Sequence, residues 1–147
     1  MRVIIDTDAK NEVDDQFAIV QAALRQSFDL RGFIACHFGR KKSSTSMMDS
    51  YDEIKKVLSL IDKKDISVYK GDIDEIGLIN KKTVSEGVRI IIDEALKKDE
   101  RPIYIACLGA ITDMAHAILL CPEIANKISL LFGLAEEIIQ LVDGNII

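Results

Sequence analysis

The chain has 147 residues, of which 48% are hydrophobic and 29% are charged, with only 8 Gly and 2 Pro. This composition excludes a disordered or collagen-like chain, and the length predicts a single globular domain over residues 1–147 or one half of a larger domain. The 19 Lys and Arg against 24 Asp and Glu give a net charge of −5, so no basic surplus exists for binding nucleic acid. No apolar run approaches the ~20 residues of a membrane-spanning helix. We therefore expect neither a nucleic-acid nor a membrane partner.

Three cysteines, Cys36, Cys107 and Cys121, lie in apolar stretches and lack the spacing of a metal site. An odd number of such residues predicts buried free thiols in a reducing compartment. The first charged residue of the acidic segment, Asp6, comes too early for a signal peptide. These features predict a cytoplasmic protein.

Strand and helix patterns alternate along the whole chain. Runs rich in β-branched residues predict strands over 2–5, 30–36, 66–69, 102–107 and 128–132. Apolar residues at helical spacing predict helices over 13–25, 46–61, 88–96 and 110–120. This order predicts a doubly wound α/β fold, in which a mostly parallel sheet carries helices on both faces.

Two further sequence patterns predict where the third helix starts and whether the chain associates with copies of itself. Thr83 and Glu86 have capping-box spacing and predict the start of the third helix. Residues 134–142 have a helix-like apolar pattern, and residues 143–147 then begin a turn and stop on two apolar side chains. An open sheet edge and an uncovered helix face favour association, so we expect a homo-oligomer.

Five carboxylates lie within the ten residues from Asp6 to Asp15. Their mutual repulsion costs free energy unless a positive group lies among them, and Ca²⁺ or Mg²⁺ would take their oxygens as ligands. Asp8 follows the first strand, whereas Asp14 and Asp15 begin the next helix. Acidic residues are also common in loops and at helix N-termini, which would explain one or two of the five.

Three segments resemble the inosine-uridine-type nucleoside hydrolases. The stretch Ile-Ile-Asp6-Thr-Asp8-Ala-Lys-Asn-Glu-Val-Asp14-Asp15 is similar to the family's N-terminal signature, commonly Asp-x-Asp-Pro-Gly-x-Asp-Asp. Residues 30–39 are similar to the family's second strand and turn, and residues 108–125 to its Gly-x-Leu-Thr-Asn-x-Ala segment and Pro-Glu continuation. The resemblance spans the chain and implies hydrolysis of the N-glycosidic bond of nucleosides.

The resemblance also implies roles for individual residues. Asp8 and Asp15 would bind Ca²⁺, together with the backbone carbonyl of Thr112. Asp8 would be the catalytic base, and Asp14 would hold the ribose hydroxyls. We add Asn11 in the longer loop as a substrate contact.

The chain departs from the family pattern in three places. Two extra residues separate Asp8 from Asp14, Arg40 follows Gly39 where an Asn usually contacts substrate, and Asp113 replaces a usual Asn. The resemblance further implies that a second half of the family's fold supplies another metal-binding Asp and the His that protonates the leaving base. Since the chain shows neither, we expect weak or absent activity from it alone.

The remaining candidates are the two histidines and a basic loop. His37 follows the second strand, where it would contact substrate or act as an acid, or else be a loop histidine. His116 lies one helical turn after Thr112 and is expected to be structural or on the surface. Residues 40–42 would meet an anionic group or form a solvated loop.

Two rival functions remain open from the sequence. An Asp-x-Asp after the first strand also occurs in Mg²⁺-dependent phosphatases of the haloacid dehalogenase type, although the paired Asp14 and Asp15 argue against it. The other rival is a non-catalytic protein that retains only metal or nucleoside binding.

Overall fold

The computed structural model describes residues 1–78 and 82–132. The elements in chain order are β1 (Arg2–Thr7), α1 (Asp14–Leu24), β2 (Asp29–Ala35), α2 (Ser46–Leu60), β3 (Val68–Lys70), α3 (Glu86–Leu96), β4 (Ile103–Cys107), α4 (Thr112–Leu120), a 3₁₀ turn (Pro122–Asn126) and β5 (Ile128–Phe132). The strands form one sheet in the order β3-β2-β1-β4-β5, and every pair is parallel. The predicted α/β architecture with a parallel sheet is confirmed.

Strand β1 occupies the centre of the sheet, and all six of its residues are buried. It pairs with β2 on one side and β4 on the other, so that Asp6 lies between Ile34 and Cys107. Consecutive β-branched residues from Val3 to Ile5 suit this position, because a strand covered on both faces buries every side chain.

The helices cover the sheet in two layers. One core cluster joins α1 and α2 to the sheet and contains Val3, Ile5, Ile19, Ala22, Phe33, Ile54 and Leu58. The other joins α3 and α4 to the opposite face and contains Ile4, Ile34, Val88, Ile91, Ile105, Met114 and Ala117. Each fully buried large apolar side chain contributes roughly 1.5–3 kcal/mol to folding. The helices therefore lie on both faces, as the sequence predicts.

Four element boundaries differ from the prediction by two residues. Two of them are the starts of β3, at Val68 instead of 66, and of α3, at Glu86 instead of 88. Strand β1 continues through Asp6 and Thr7, both fully buried, rather than ending at Ile5. The backbone of β1 pairs with neighbours on both sides, and this ladder continues whatever the polarity of the side chains. Helix α4 begins at Thr112, two residues later than expected.

The predicted capping box at Thr83 and Glu86 is wrong. Ser85 is the N-cap of α3, and its hydroxyl accepts a hydrogen bond of 3.1 Å from the backbone N–H of Val88. Glu86 is the first helical residue, too early to reach back in a capping box. Its carboxylate instead accepts a bond of 3.0 Å from the backbone N–H of Lys70.

Three further expectations concern single segments. Cys36 and Cys107 are buried free thiols, whereas Cys121 is only half-buried. Within the described parts of the chain, every helix is too short or too polar to cross a bilayer. The helix-like pattern of residues 134–142 lies outside the described residues.

Candidate active site

The predicted site residues gather at the carboxyl ends of the parallel strands. Strands β1, β2 and β4 end at Thr7, Ala35 and Cys107, while α1 and α4 begin at Asp14 and Thr112. This edge of an open parallel sheet is where ligands bind in doubly wound folds.

Asp8 is the first residue after β1, and its side chain is 7% exposed. Its Oδ2 accepts a hydrogen bond of 3.0 Å from the side-chain amide of Asn11, and its backbone carbonyl accepts one of 2.7 Å from the Asn11 N–H. Burial raises the pKa of Asp8, and the Asn11 amide opposes that increase because it stabilises the charged form. The longer loop therefore folds back onto the carboxyl group that it follows.

Asp15 lies in the first turn of α1 and is 5% exposed. Its Oδ1 accepts a hydrogen bond of 2.7 Å from the Thr7 hydroxyl. Burial, together with the nearby charges of Asp8 and Asp14, raises the pKa of Asp15 to about 7. The two carboxyl groups also act on each other, because the proximity of Asp8 contributes to the raised pKa of Asp15.

The turn after β4 passes close to this carboxyl pair. A Cβ atom at Gly109 would lie 2.7 Å from Oδ1 of Asp8 and 2.7 Å from Sγ of Cys36. No side chain fits at those separations, so glycine is required where the β4 turn meets Asp8.

His37 and Thr112 form a second pair on the same edge. The Nε2 atom of His37 and the Thr112 hydroxyl share a hydrogen bond of 2.8 Å, and both residues are buried. The Nδ1 atom of His37 is buried without a hydrogen-bond partner in the described part of the chain. This bond connects the end of β2 to the start of α4.

The structure thus brings the predicted residues together as two groups. Asp8, Asn11 and Asp15 form one, and His37 with Thr112 forms the other. Asp14, half-buried beside Asp15, begins α1.

The Asp8–Asp15 pair fits a divalent cation. Two buried carboxyl groups this close in the fold offer oxygen ligands to Ca²⁺ or Mg²⁺, and the ion would offset the repulsion between their charges. Among residues 1–78 and 82–132, no three His, Cys, Asp or Glu side chains are grouped to hold a metal ion. A cation here would therefore also need backbone carbonyls, such as that of Thr112, or water molecules.

A buried polar network beside the site was not predicted from the sequence. Oδ1 of Asp113 accepts bonds of 2.8 Å from the Asp72 N–H and 3.1 Å from the Ser85 hydroxyl. The Asp72 carboxylate contacts Nδ1 of His116 at 2.7 Å, so this fully buried histidine is structural. A Cβ at Gly71 would lie 2.3 Å from Oδ2 of Asp113. The network ties the loop after β3 and the start of α3 to the first turn of α4.

Asp6 and Asp113 are fully buried carboxyl groups within this region. Burial and the charge of Asp113 raise the pKa of Asp6 well above its usual value, and the nearby Cys36 thiol only partly opposes the change. Burial and the charge of Asp72 raise the pKa of Asp113 to about 7. Both oxygens of Asp6 and Oδ2 of Asp113 lack hydrogen-bond partners among the described residues. Burial therefore shifts both groups toward the protonated form.

The basic loop after β2 is tied to acidic and amide groups. The Arg40 guanidinium donates two hydrogen bonds to the carboxylate of Asp74, in the loop after β3. Lys42 donates a bond of 2.7 Å to Oδ1 of Asn11, which itself contacts Asp8. The loop after β2 is therefore held on one side by Asp74 and on the other by Asn11, rather than being only solvated.

Comparison with solved structures identifies proteins that share this fold. The chain superposes on a nucleoside hydrolase-related hypothetical protein from Saccharophagus degradans with a TM-score of 0.70 and 21% identity, covering 89% of this chain and 38% of that one. It superposes on a purine-preferring ribonucleoside hydrolase from Gardnerella vaginalis with a TM-score of 0.71 and 20% identity, covering 90% of this chain and 48% of that one. It superposes on an inosine-uridine preferring nucleoside hydrolase from Bacillus anthracis with a TM-score of 0.56 and 19% identity, covering 89% of this chain and 49% of that one. The chain thus spans less than half the length of each of these proteins.

Comparison of the sequence with family models matches residues 3–135 to the inosine-uridine preferring nucleoside hydrolases. Comparison with curated protein sequences gives no match. The family match includes the Asp8–Asp15 loop, the His37–Thr112 pair and all five strands. The chain belongs to the inosine-uridine preferring nucleoside hydrolase family.

Proposed function

We propose that this chain hydrolyses the N-glycosidic bond of ribonucleosides in a Ca²⁺-dependent reaction, with low turnover. The observation that carries the proposal is the buried Asp8–Asp15 pair at the carboxyl edge of the sheet, in a chain that belongs to this family. A nucleoside is the small-molecule partner, and the free thiols of Cys36 and Cys107 support a cytoplasmic location.

Asp8 and Asp15 would hold the cation, together with the Thr112 carbonyl. When bound, the ion lowers the pKa of water next to it. Asp8 would accept a proton from the water molecule that attacks C1′ of the riboside, and the hydrogen bond from Asn11 orients its carboxylate for this role. The bond from C1′ to the base breaks as the new bond to oxygen forms, and the departing base takes up a proton from solvent.

Two further groups act on the sugar. Asp14, on the first turn of α1, accepts hydrogen bonds from the ribose hydroxyls and fixes the orientation of C1′. The negative charge of Asp14 stabilises the positive charge that develops on the ribose ring. Asn11 and His37 contact the bound nucleoside from the loops after β1 and β2.

Protonation of the leaving base is the step for which this chain provides least. His37 is 4% exposed and uses Nε2 for Thr112, and His116 is fully buried against Asp72. Because both histidines of the described residues are already hydrogen-bonded within the fold, we propose that these residues by themselves give low turnover.

A second candidate function is binding without turnover. The described residues support it, because they include the proposed cation and ribose contacts while both of their histidines are hydrogen-bonded within the fold. Calorimetry with ribose and with nucleosides, beside an assay of sugar release, separates the two functions. Binding without release would establish the second candidate.

The experiment that tests hydrolysis is a substrate panel. Purine and pyrimidine ribosides are incubated with the protein and Ca²⁺, and reducing sugar is measured. A matched panel of simple phosphate esters is assayed for phosphate. We expect ribose from at least one riboside and no phosphate. Release of phosphate alone would instead support a phosphatase.

A further inference from the structure

The three consecutive basic residues in the loop after β2 have different surroundings. Arg40 donates two hydrogen bonds to the carboxylate of Asp74, which is only 6% exposed, so its charge is matched within the fold. Lys41 and Lys42 are exposed, and within residues 1–78 and 82–132 neither makes an ion pair with a carboxylate. Two unmatched positive charges therefore lie together in a chain whose net charge is −5.

Lys42 lies beside the proposed catalytic base. Its Nζ atom donates a hydrogen bond of 2.7 Å to Oδ1 of Asn11, whose amide nitrogen donates one of 3.0 Å to Asp8. One amide group thus separates the ammonium from the carboxylate. An ammonium has three N–H donors, and the bond to Asn11 uses one of them. The remaining donors are available to a ligand bound at Asp8.

The position of this loop is fixed by bonds that do not use the lysine ammonium groups. The backbone N–H groups of Lys42 and Ser43 donate hydrogen bonds of 3.2 and 3.3 Å to the carbonyl of Gly39 and close a turn. The carboxylate of Asp49, on the first turn of α2, accepts hydrogen bonds from the hydroxyls of Ser43 and Thr45. The nearby acid is therefore engaged by hydroxyl groups and leaves the lysines unmatched.

We propose that the riboside recognised by this site carries an anionic group, a phosphate on the ribose or a carboxylate on the base, and that Lys42 and Lys41 bind it. The proposal rests on the proposed function, which places C1′ of the sugar beside Asp8. Phosphate and carboxylate oxygens accept charge-assisted hydrogen bonds from ammonium groups. A phosphate at C5′ or a carboxylate on the base lies within a few bonds of C1′, and the Lys42 ammonium lies one amide group from Asp8. The divalent cation proposed above reduces the negative charge that would otherwise repel such a group.

The test is calorimetric binding to the full chain in the presence of Ca²⁺, with pairs of ligands that differ in one anionic group. The pairs are ribose with ribose 5-phosphate, inosine with inosine 5′-monophosphate, and uridine with orotidine, which carries a carboxylate on its base. We expect the charged member of at least one pair to bind roughly tenfold more tightly. The preference should decrease with added salt, because salt screens exposed charges. The first two pairs report on a phosphate and the third reports on a carboxylate.

Two variants show whether the lysine is responsible. Lys42→Met keeps a long side chain without its charge and should reduce the ratio of the two dissociation constants by at least roughly fivefold. Lys98→Met is the matched control, since Lys98 is exposed between α3 and β4, at the opposite edge of the sheet. It removes the same charge and should leave that ratio unchanged. Circular dichroism checks that both variants fold.

The outcomes separate this proposal from the proposed function. Equal binding of both members of every pair would overturn the anionic substrate, while neutral nucleosides that bind and release sugar would still support hydrolysis. A preference that Lys42→Met and Lys98→Met reduce equally would also overturn it, because the effect would then come from the net charge of the chain. If none of these ligands binds and no riboside is hydrolysed, both proposals fail together.

Discussion

Asn11 donates its side-chain amide to the carboxylate of Asp8 at 3.0 Å, from within the loop that is two residues longer than the common family signature. The same residue accepts a bond from Lys42 through its Oδ1 atom. The longer loop thus supplies a hydrogen-bond donor to the proposed catalytic base.

Replacement of Asn11 by Ala should raise the pKa of Asp8, because the amide stabilises the charged carboxylate. A single hydrogen bond to a charged group is worth roughly 1.5–3 kcal/mol, which corresponds to an increase of about 1–2 pH units. Carbon-13 NMR titration of the aspartate carboxyl groups, without divalent cations, measures the change. Lys42→Met leaves the Asn11 amide in place and should shift the Asp8 titration much less. An Asp8 titration that is unchanged in Asn11→Ala would contradict this role.

Calcium should stabilise the folded protein through Asp8 and Asp15. A ligand that binds only the folded state at about 100 times its dissociation constant adds about 2.7 kcal/mol, which appears as a higher melting temperature. Asp8→Asn and Asp15→Asn should each abolish the increase. Asp52→Asn, at an exposed carboxylate on α2, should retain it. The same increase in both site variants would show that the ion binds elsewhere.

The stability of the cation-free protein should fall as the pH rises. Asp15 and Asp113 have a raised pKa of about 7, against an ordinary value of 3.8, because both are buried near other carboxylates. A raised pKa in the folded state means that folding favours the protonated form. This contribution is complete below about pH 4 and is lost as the pH rises through about 7. Melting temperatures measured in chelator across this range should therefore decrease.

Asp113→Asn separates the part of this pH dependence that is due to Asp113. The amide retains the oxygen that accepts from the Asp72 N–H and Ser85, but it removes a buried acid whose ionisation above about pH 7 costs stability. Above pH 7 this variant should be more stable than the unchanged protein by roughly 1–4 kcal/mol. It should also show a smaller decrease with pH. An identical pH profile in the two proteins would show that Asp113 is ionised at little cost.

Ser85→Ala should destabilise the protein by about 1 kcal/mol, because it removes the N-cap of α3. It also removes a donor to the buried Asp113, which adds to the loss. Thr83→Ala is the matched control and should change stability by less than about 0.5 kcal/mol. Urea denaturation measures both changes. A larger loss of stability in Thr83→Ala than in Ser85→Ala would indicate that Thr83, not Ser85, is the N-cap of α3.

Most of the fold could be predicted from the sequence because its elements follow from local patterns. The β-branched run at residues 3–5 and the apolar spacing in residues 86–96 each indicate an element within a few residues. Boundaries were less certain where a polar residue lies inside a strand. Asp6 shows this, because it interrupts the apolar run while its backbone still pairs with both neighbouring strands.

The candidate site contains both residues that are close in the sequence and residues that are far apart in it, and only the former could be predicted. Asp8, Asn11 and Asp15 lie within eight residues of one another, so a local motif shows them together. In the buried polar network, Asp113 lies 28 positions from Ser85 and 41 positions from Asp72 in the sequence. Asp72 lies 44 positions from His116. Contacts at such separations depend on the order of the strands in the sheet, which one sequence does not reveal. The position of His116, one helical turn after Thr112, was the available signal.

The most direct test of the proposed reaction compares sugar release by the unchanged protein and by Asp8→Asn. The protein is used in excess over a ribonucleoside, so that a single turnover is measurable despite weak activity. Free base and ribose are quantified together in the presence of Ca²⁺. We predict that the unchanged protein releases base and ribose in equal amounts and that Asp8→Asn releases neither above the blank. Equal release by the two proteins, or no release from any riboside by the unchanged protein, would contradict hydrolysis at Asp8.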